Sequence, residues 1–506
     1  MKPTSDVPFW KDAKDVGFGS VAIAYAGGED VILDEQFVQY ECEINAAWVV
    51  MLLKQKLIPQ SVGKSLLEGL QTIKTQHSKG IYKLNPMLED VHSNIEQALI
   101  AQYGIEVGGY MRLGIARNDQ VYTDTRMWMR DHIVTVCEMV LGLIKVILEW
   151  STHQTHTVMP GYTHLRVSQS ITAAHWMSAK AFHFLDDVKQ IANCYDIVNT
   201  CPLGIAEMAG THLPIDRAYT AQLLGFAAPT PHSLYTANQR GEIEAKILFE
   251  LSSLAMHIRR TMSELIIFTG QEFGLFELGR AYATGGTAQP NLVNPDAIEA
   301  VRATMAKIPA LALETVMIID TLPSGYIRDT QATKKTLFEA FAYMEKTIPV
   351  VAGVLSTLVP HKARMEELAN TNFASAPDMT NQLSVCGKVS FRQAYHVVKA
   401  IIKSGAISSF AQLTPGLVRE TAIEVLQKPI EVTQEQIDEV ASARQCVMAH
   451  TSLGGPAPKQ VKKMIKKIKK EVRNIAEKLN EKKQKLQQAK IMLATKVSDV
   501  TVAGKL

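Results

Sequence analysis

The sequence predicts an all-α protein built around a bundle of long helices. Over most of the 506 residues, apolar positions recur at three- and four-residue steps with few internal Gly or Pro. Three segments, Tyr122 to Ser151, His164 to Tyr195 and Gly241 to Thr269, hold that rhythm for about 28 residues or more. That is longer than an ordinary globular helix and suits a rod-like bundle. Alternating, strand-like runs are scarce.

An N-terminal helical domain is expected over residues 1–112. The central bundle follows over 113–362, a small helical domain over 363–458 and a basic helical tail over 459–506. Within the bundle, breaks fall at Met159-Pro160-Gly161, at Cys201-Pro202-Leu203-Gly204 and at Pro229-Thr230-Pro231. The longest break is Ala283-Thr284-Gly285-Gly286-Thr287-Ala288-Gln289-Pro290-Asn291-Leu292-Val293-Asn294-Pro295-Asp296. Its Gly and Pro residues cannot continue a helix, so 283–296 reads as a long loop.

The chain is 47% hydrophobic and 20% charged, which permits a large buried core. Six Cys (42, 137, 194, 201, 386 and 446) lack a CxxC pair or a His at ligand spacing, so they read as buried thiols in a reducing compartment. Met1 to Asp15 is polar and has no apolar signal core. Ile133 to Trp150 carries Glu138, Lys145 and Glu149, which suits a bundle helix better than a membrane span. A cytoplasmic location is expected.

The overall charge of +3 hides an asymmetry. Lys459 to Lys490 holds thirteen Lys or Arg against three Glu, or +10, so the rest carries −7. In that tail Val461, Ile465, Ile468, Val472, Ile475 and Leu479 form a heptad-like seam. The seam predicts a helix that packs on the body or a neighbouring subunit. Its lysine faces could also meet an anionic surface. No aromatic residue interleaves the lysines, which weakens a nucleic-acid reading.

Several polar blocks could carry chemistry. Gly161-Tyr162-Thr163-His164-Leu165 places a His beside a Thr just before a predicted helix, and Glu299 lies about one turn into another. A His–carboxylate pair raises the imidazole pKa and suits proton transfer near neutral pH. Arg117-Asn118 offers a planar fork and an amide for a carboxylate. Glu89-Asp90-Val91-His92-Ser93-Asn94-Ile95-Glu96 is dense in potential metal ligands, but no second His/Cys cluster supports it, and no metal or organic cofactor is expected. Tyr326, Gln331 and Lys334 alone read as an ordinary polar helix start.

Together these blocks give a resemblance. From about Leu33 to Pro458 the chain resembles argininosuccinate lyase, of the fumarase/aspartase superfamily. The blocks above carry it with Pro214-Ile215-Asp216-Arg217, Gln271-Glu272-Phe273-Gly274, Asn294-Pro295-Asp296 and Thr451-Ser452-Leu453-Gly454-Gly455-Pro456-Ala457-Pro458. The resemblance implies a three-domain fold with a central long-helix bundle and a homotetramer in which three chains complete each active site. It implies cofactor-free anti elimination of fumarate from argininosuccinate, or a related small amino-acid dicarboxylate. His164 with Glu299 is then the acid/base pair. Thr163, Arg117, Asn118 and Asn294 hold substrate carboxylates, Tyr326, Gln331 and Lys334 contact the carboxylates and the amino-acid half, and Asp90 belongs to the polar wall.

The chain departs from that pattern at one end of the implied site. Gly286 stands where the family has its catalytic Ser, and Leu292 where it has a loop Lys. Ile115-Ala116 replace Arg-Ser, Ile205 replaces Ser, and Trp48 replaces His. Thr287 occupies the second Ser position and is the substitute base to be expected. Losing a donor to a developing oxyanion costs about 100- to 1000-fold in rate. The expectation is therefore a carbon–nitrogen lyase acting on argininosuccinate or a related substrate, the alternative being a catalytically silent relative kept for binding, regulation or assembly.

Overall fold

A computed structural model describes Tyr25 and residues 29–502. It is predominantly helical, as expected. The helices that position the candidate site are α1 (Val38–Lys54), α2 (Gln60–Ser78), α3 (Val91–Tyr103) and α4 (Arg117–His153). A hairpin of β1 (Val158–Thr163) and β2 (Arg166–Thr172) leads into α5 (Ala173–Val198), followed by α6 (Glu242–Thr269). The antiparallel pair β3 (Thr284–Gly285) and β4 (Val293–Asn294) closes the 283–296 loop. Then come α7 (Asp296–Met305), α8 (Lys307–Ile319), α9 (Thr333–Ser356) and the tail helix α10 (Pro458–Thr501), with shorter helices between.

The long helices start where side chains satisfy free backbone N–H groups. Asp90 accepts from the Ser93 N–H at 2.7 Å to open α3, and Thr172 accepts from His175 at 3.0 Å to open α5. Asp119 accepts from the Ala116 N–H at 3.0 Å to open α4. At the start of α6, Gly241 has φ +86°, and a side chain there would meet Ile319 at 2.6 Å, so both conformation and space require glycine.

One apolar core runs through α1 to α9 and includes residues of the tail. A second lies under the C-terminal small helices, around Met379, Val397, Ile401, Phe410 and Ile437. Val158, Ala369, Ala443 and Val447 join the hairpin to that region. Every seam residue of the tail, Val461 to Leu479, is buried, and α10 lies along α5, α4, α2 and α1 of its own chain. Among the described residues no helix is long and apolar enough to cross a membrane.

The helix expected from His164 to Tyr195 is corrected. Its first part is the β-hairpin, and helix begins only at Ala173. Thr163 pairs with Arg166, leaving His164-Leu165 as a two-residue turn. Val167, Gln169 and Ile171 alternate with Ser168, Ser170 and Thr172, and this period of two, with its β-branched residues, favours a strand over a helix.

Candidate active site

The structure gathers some of the expected residues into one polar cavity. Asp90, Arg117, Gln331 and Lys334 line it together with Asp30 and Asp34. Arg117 is the first residue of α4, and Asp90 caps α3, so two helix N-termini aim them at each other. Arg117 donates to the Asp90 carboxylate at 2.9 Å. Burial opposes ionisation of Asp90, but His92, Arg117 and the Ser93 N–H hold it below the ordinary carboxylate value. Burial likewise opposes the charge on Arg117, and Asp90 and Glu89 more than offset it.

Lys334 lies in the first turn of α9 and is almost wholly buried. Its Nζ donates to Asp34 at 2.6 Å and lies 3.0 Å from Asp30. Arg328 spans Asp30 at 3.4 Å and Glu89 at 3.2 Å. Gln331 donates to the Tyr326 hydroxyl at 3.1 Å and accepts from the buried Arg240 at 2.8 Å. Tyr326, Gln331 and Arg240 therefore form one hydrogen-bonded chain beside the lysine. Such pairing fixes the geometry of groups able to receive a carboxylate or an amino-acid half.

His164 and Thr163 are elsewhere, exposed at the hairpin tip. His164 has φ +54° and Leu165 φ +56°. Two consecutive positive φ values define the hairpin turn that normally selects Asn-Gly. Holding other residues there stores strain on the order of 1–3 kcal/mol each. The strain projects an imidazole from the rigid end of a ladder, a presentation the local sequence concealed because no Gly or Asn marks the turn.

A third group sits on and after the 283–296 loop. Thr287 and Glu299 are exposed and Asn294, in β4, is half-buried. Asn118 is half-buried beside Arg117. Among the described residues, no hydrogen bond or ion pair joins His164 to Glu299, or either to the Asp90–Lys334 cavity. One chain thus carries three separate pieces.

The loop is shaped around the missing side chain. A Cβ at Gly286 would lie 2.8 Å from the Gln289 carbonyl oxygen, whereas at Gly285 nothing lies within 4 Å. Gly286→Ala and Gly286→Ser are both expected to push the Gln289 carbonyl aside and speed proteolysis of the loop, and Gly285→Ala to leave it unchanged. Equal cleavage of all three would contradict this packing.

The departures at the other positions are built into apolar packing. Trp48 is fully buried and its indole N–H donates to the Leu113 carbonyl at 2.9 Å. Ile115 and Ile205 are buried as well. Asp119, one residue past Asn118, accepts from the backbone of Gly204 and Ala206 at 2.8 and 2.9 Å, tying the Pro202–Ala206 turn to the start of α4. Burial pushes its carboxyl up to about 7, against those hydrogen bonds.

At the wall of the polar cavity, which His92 also lines, α1, α3 and α4 bring Glu41, His92 and Asp124 together in full burial. Burial and the adjacent Glu41 carboxylate push Asp124 well above its ordinary value. Of these three only His92 stood out in the sequence. Glu41 and Asp124 are single acids inside helices, and only the convergence of three helices unites them. A cavity of about 850 Å³ lies apart from all these groups, between α10 and the end of α5.

This fold matches solved structures over nearly its whole length. EDDS lyase in complex with formate superposes with a TM-score of 0.83 at 24% identity, covering 97% of this chain and 98% of that one. The class II fumarase of Schistosoma mansoni gives 0.69 at 14% identity, covering 85% and 95%. The architecture is that of the fumarase/aspartase superfamily. In sequence, the lyase family profile matches residues 28–310. The argininosuccinate lyase of Syntrophus aciditrophicus is 31% identical over 436 residues, covering 86% of this chain and 90% of that relative. That of Methanocaldococcus jannaschii is 30% identical over 463 residues, covering 91% and 94%. The chain belongs to the lyase family.

Proposed function

We propose that this chain is a carbon–nitrogen lyase of argininosuccinate-lyase type, eliminating fumarate from an N-substituted aspartate. The observation that carries the reading is His164, held at positive φ on the exposed tip of a two-residue turn. Such strain persists where function requires it.

In this reading a base takes the proton from the carbon beside the distal carboxylate. The charge moves onto that carboxylate, the C–N bond breaks, and the leaving nitrogen gains a proton, giving fumarate and a free amine or guanidine. His164, paired with Glu299, handles one of these protons. Thr287 takes the place of the absent loop serine. Thr163, Arg117, Asn118 and Asn294 bind carboxylates, Tyr326, Gln331 and Lys334 contact the carboxylates and the amino-acid half, and Asp90 belongs to the polar wall.

No single chain joins these pieces, so the reading requires subunits to complete one another's sites. We infer a homotetramer, with the central bundle as its core. Exposed Phe249 and Met256 on α6, two helical turns apart, and Leu313 and Met317 on α8 offer apolar faces suited to that packing. Residues 1–112, 113–362 and 363–458 would be its three domains, and a cytoplasmic enzyme is the setting that fits.

Fumarate keeps both carboxylates of the succinyl end, so a substrate other than argininosuccinate would differ from it in the amine half. The test is ultraviolet detection of fumarate released from argininosuccinate and a panel of N-alkyl and N-acyl aspartates. At least one panel member is expected to turn over faster than argininosuccinate. No fumarate from any of them would refute the lyase reading.

A further inference from the structure

We propose that Glu41, His92 and Asp124 form a closed binding site for one divalent transition-metal ion, best suited to zinc, which cross-links α1, α3 and α4. The three side chains are essentially inaccessible to solvent. One ligand atom from each lies within 4.8 Å of the others. His92 Nδ1 is 3.1 Å from Glu41 Oε1 and 4.0 Å from the nearer Asp124 oxygen. Approaches of this order are near the edge of about 3.3 Å of a tetrahedron with zinc–ligand bonds near 2.0–2.1 Å, with Glu41 offering Oε2 from the same carboxylate.

The atoms that would face the ion are the ones the protein leaves unpaired. Glu41 Oε2, both ring nitrogens of His92 and both carboxylate oxygens of Asp124 have no hydrogen-bond partner among the described residues. Buried polar atoms are normally satisfied, and an unpaired buried carboxylate is among the most costly. The nearby cations are engaged elsewhere: Arg112 with Glu96 at 2.8 Å, Arg117 with Asp90, and Lys334 with Asp34. Among the described residues the group set between the two carboxylates is the His92 ring; with that ring neutral, as a metal ligand requires, the two charges are ones a single divalent ion balances.

The surroundings hold the ligands in place. Glu41 Oε1 accepts from both Asn45 and Gln120 at 2.7 Å, and Gln120 in turn accepts from Arg112 at 2.7 Å. Such outer hydrogen bonds orient metal ligands and leave the other oxygen free to coordinate. One imidazole and two carboxylates form a borderline set that zinc accepts readily. The role is structural. His92 is two residues past Asp90 and Asp124 seven past Arg117, so the ion would fix the two helix starts that aim those groups. This departs from the metal-free expectation drawn from the Glu89–Glu96 block, where the other two ligands were out of view.

The test uses the full chain, purified without a metal-affinity tag. Elemental analysis should find about one zinc per chain. Removing it with a chelator should lower the thermal midpoint by several degrees, and added zinc, but not magnesium, should restore it. Asp124→Asn, which keeps shape and removes charge, should abolish zinc uptake. Less than about a tenth of an equivalent of metal, with a midpoint unmoved by added zinc, would overturn the site and leave the two acids sharing a proton. Zinc uptake by Asp124→Asn equal to wild type would overturn it too. None of these readouts depends on the elimination chemistry.

Discussion

His164→Ala is expected to lower fumarate release by about 100- to 10,000-fold, the usual worth of a positioned proton-transfer group. The loss should fall on kcat more than on KM, because the ring acts on a proton in transit rather than holding the ground state. Alanine changes two things, however. It removes the imidazole, and it places another residue without a special tolerance for positive φ in the turn. His164→Asn separates them. Asn is favoured at positive φ, so the turn should be kept or stabilised while the rate still collapses. If His164→Asn retained activity within about threefold of wild type, the imidazole would not be transferring the proton, and the strained turn would need another explanation.

How much of this was legible beforehand differs by link. The long helices were readable because period and length act locally. Arg117–His153 extends the predicted Tyr122–Ser151 by a few residues at each end, and Glu242–Thr269 is one residue shorter than the predicted Gly241–Thr269. The hairpin before α5 was misread because its alternation covers only seven residues and runs into a long helical rhythm. The tail seam was legible to the residue, since a heptad pattern names its buried face directly. Asp90 and Arg117 were named separately, and their pairing rests on two helix starts meeting, which no local pattern encodes. The same is true of Lys334 with Asp34, and of Glu41 and Asp124. The change at position 286 was visible in the sequence, but the crowding against the Gln289 carbonyl was not. In this loop conformation a side chain at 286 would meet the Gln289 carbonyl, so restoring a serine requires the loop to shift.

Lys334→Met is expected to destabilise the protein by about 3–5 kcal/mol at neutral pH, the usual result of stranding one partner of a buried ion pair. Asp34 is the group stranded. It is fully buried, and among the described residues its other hydrogen bond is from the Val91 N–H at 3.2 Å. Even with the lysine in place, burial outweighs the attraction of Lys334 and raises Asp34 above its ordinary 3.8. Without the lysine the folded-state value rises further, while the unfolded value stays put. The sign follows from proton binding. Between those two values the folded chain holds a proton that the unfolded chain has released, so stability falls as pH rises. The defect should therefore shrink as pH falls towards the ordinary carboxylate value and be fully developed only above the raised one. Asp34→Asn/Lys334→Met should recover much of the loss at neutral pH, because it removes the stranded charge with its partner. Thermal midpoints of wild type and both variants across pH decide the matter. A single variant as stable as wild type at every pH would mean that Lys334 holds substrate without holding the fold. A double variant no better than the single would place the loss in packing rather than in charge.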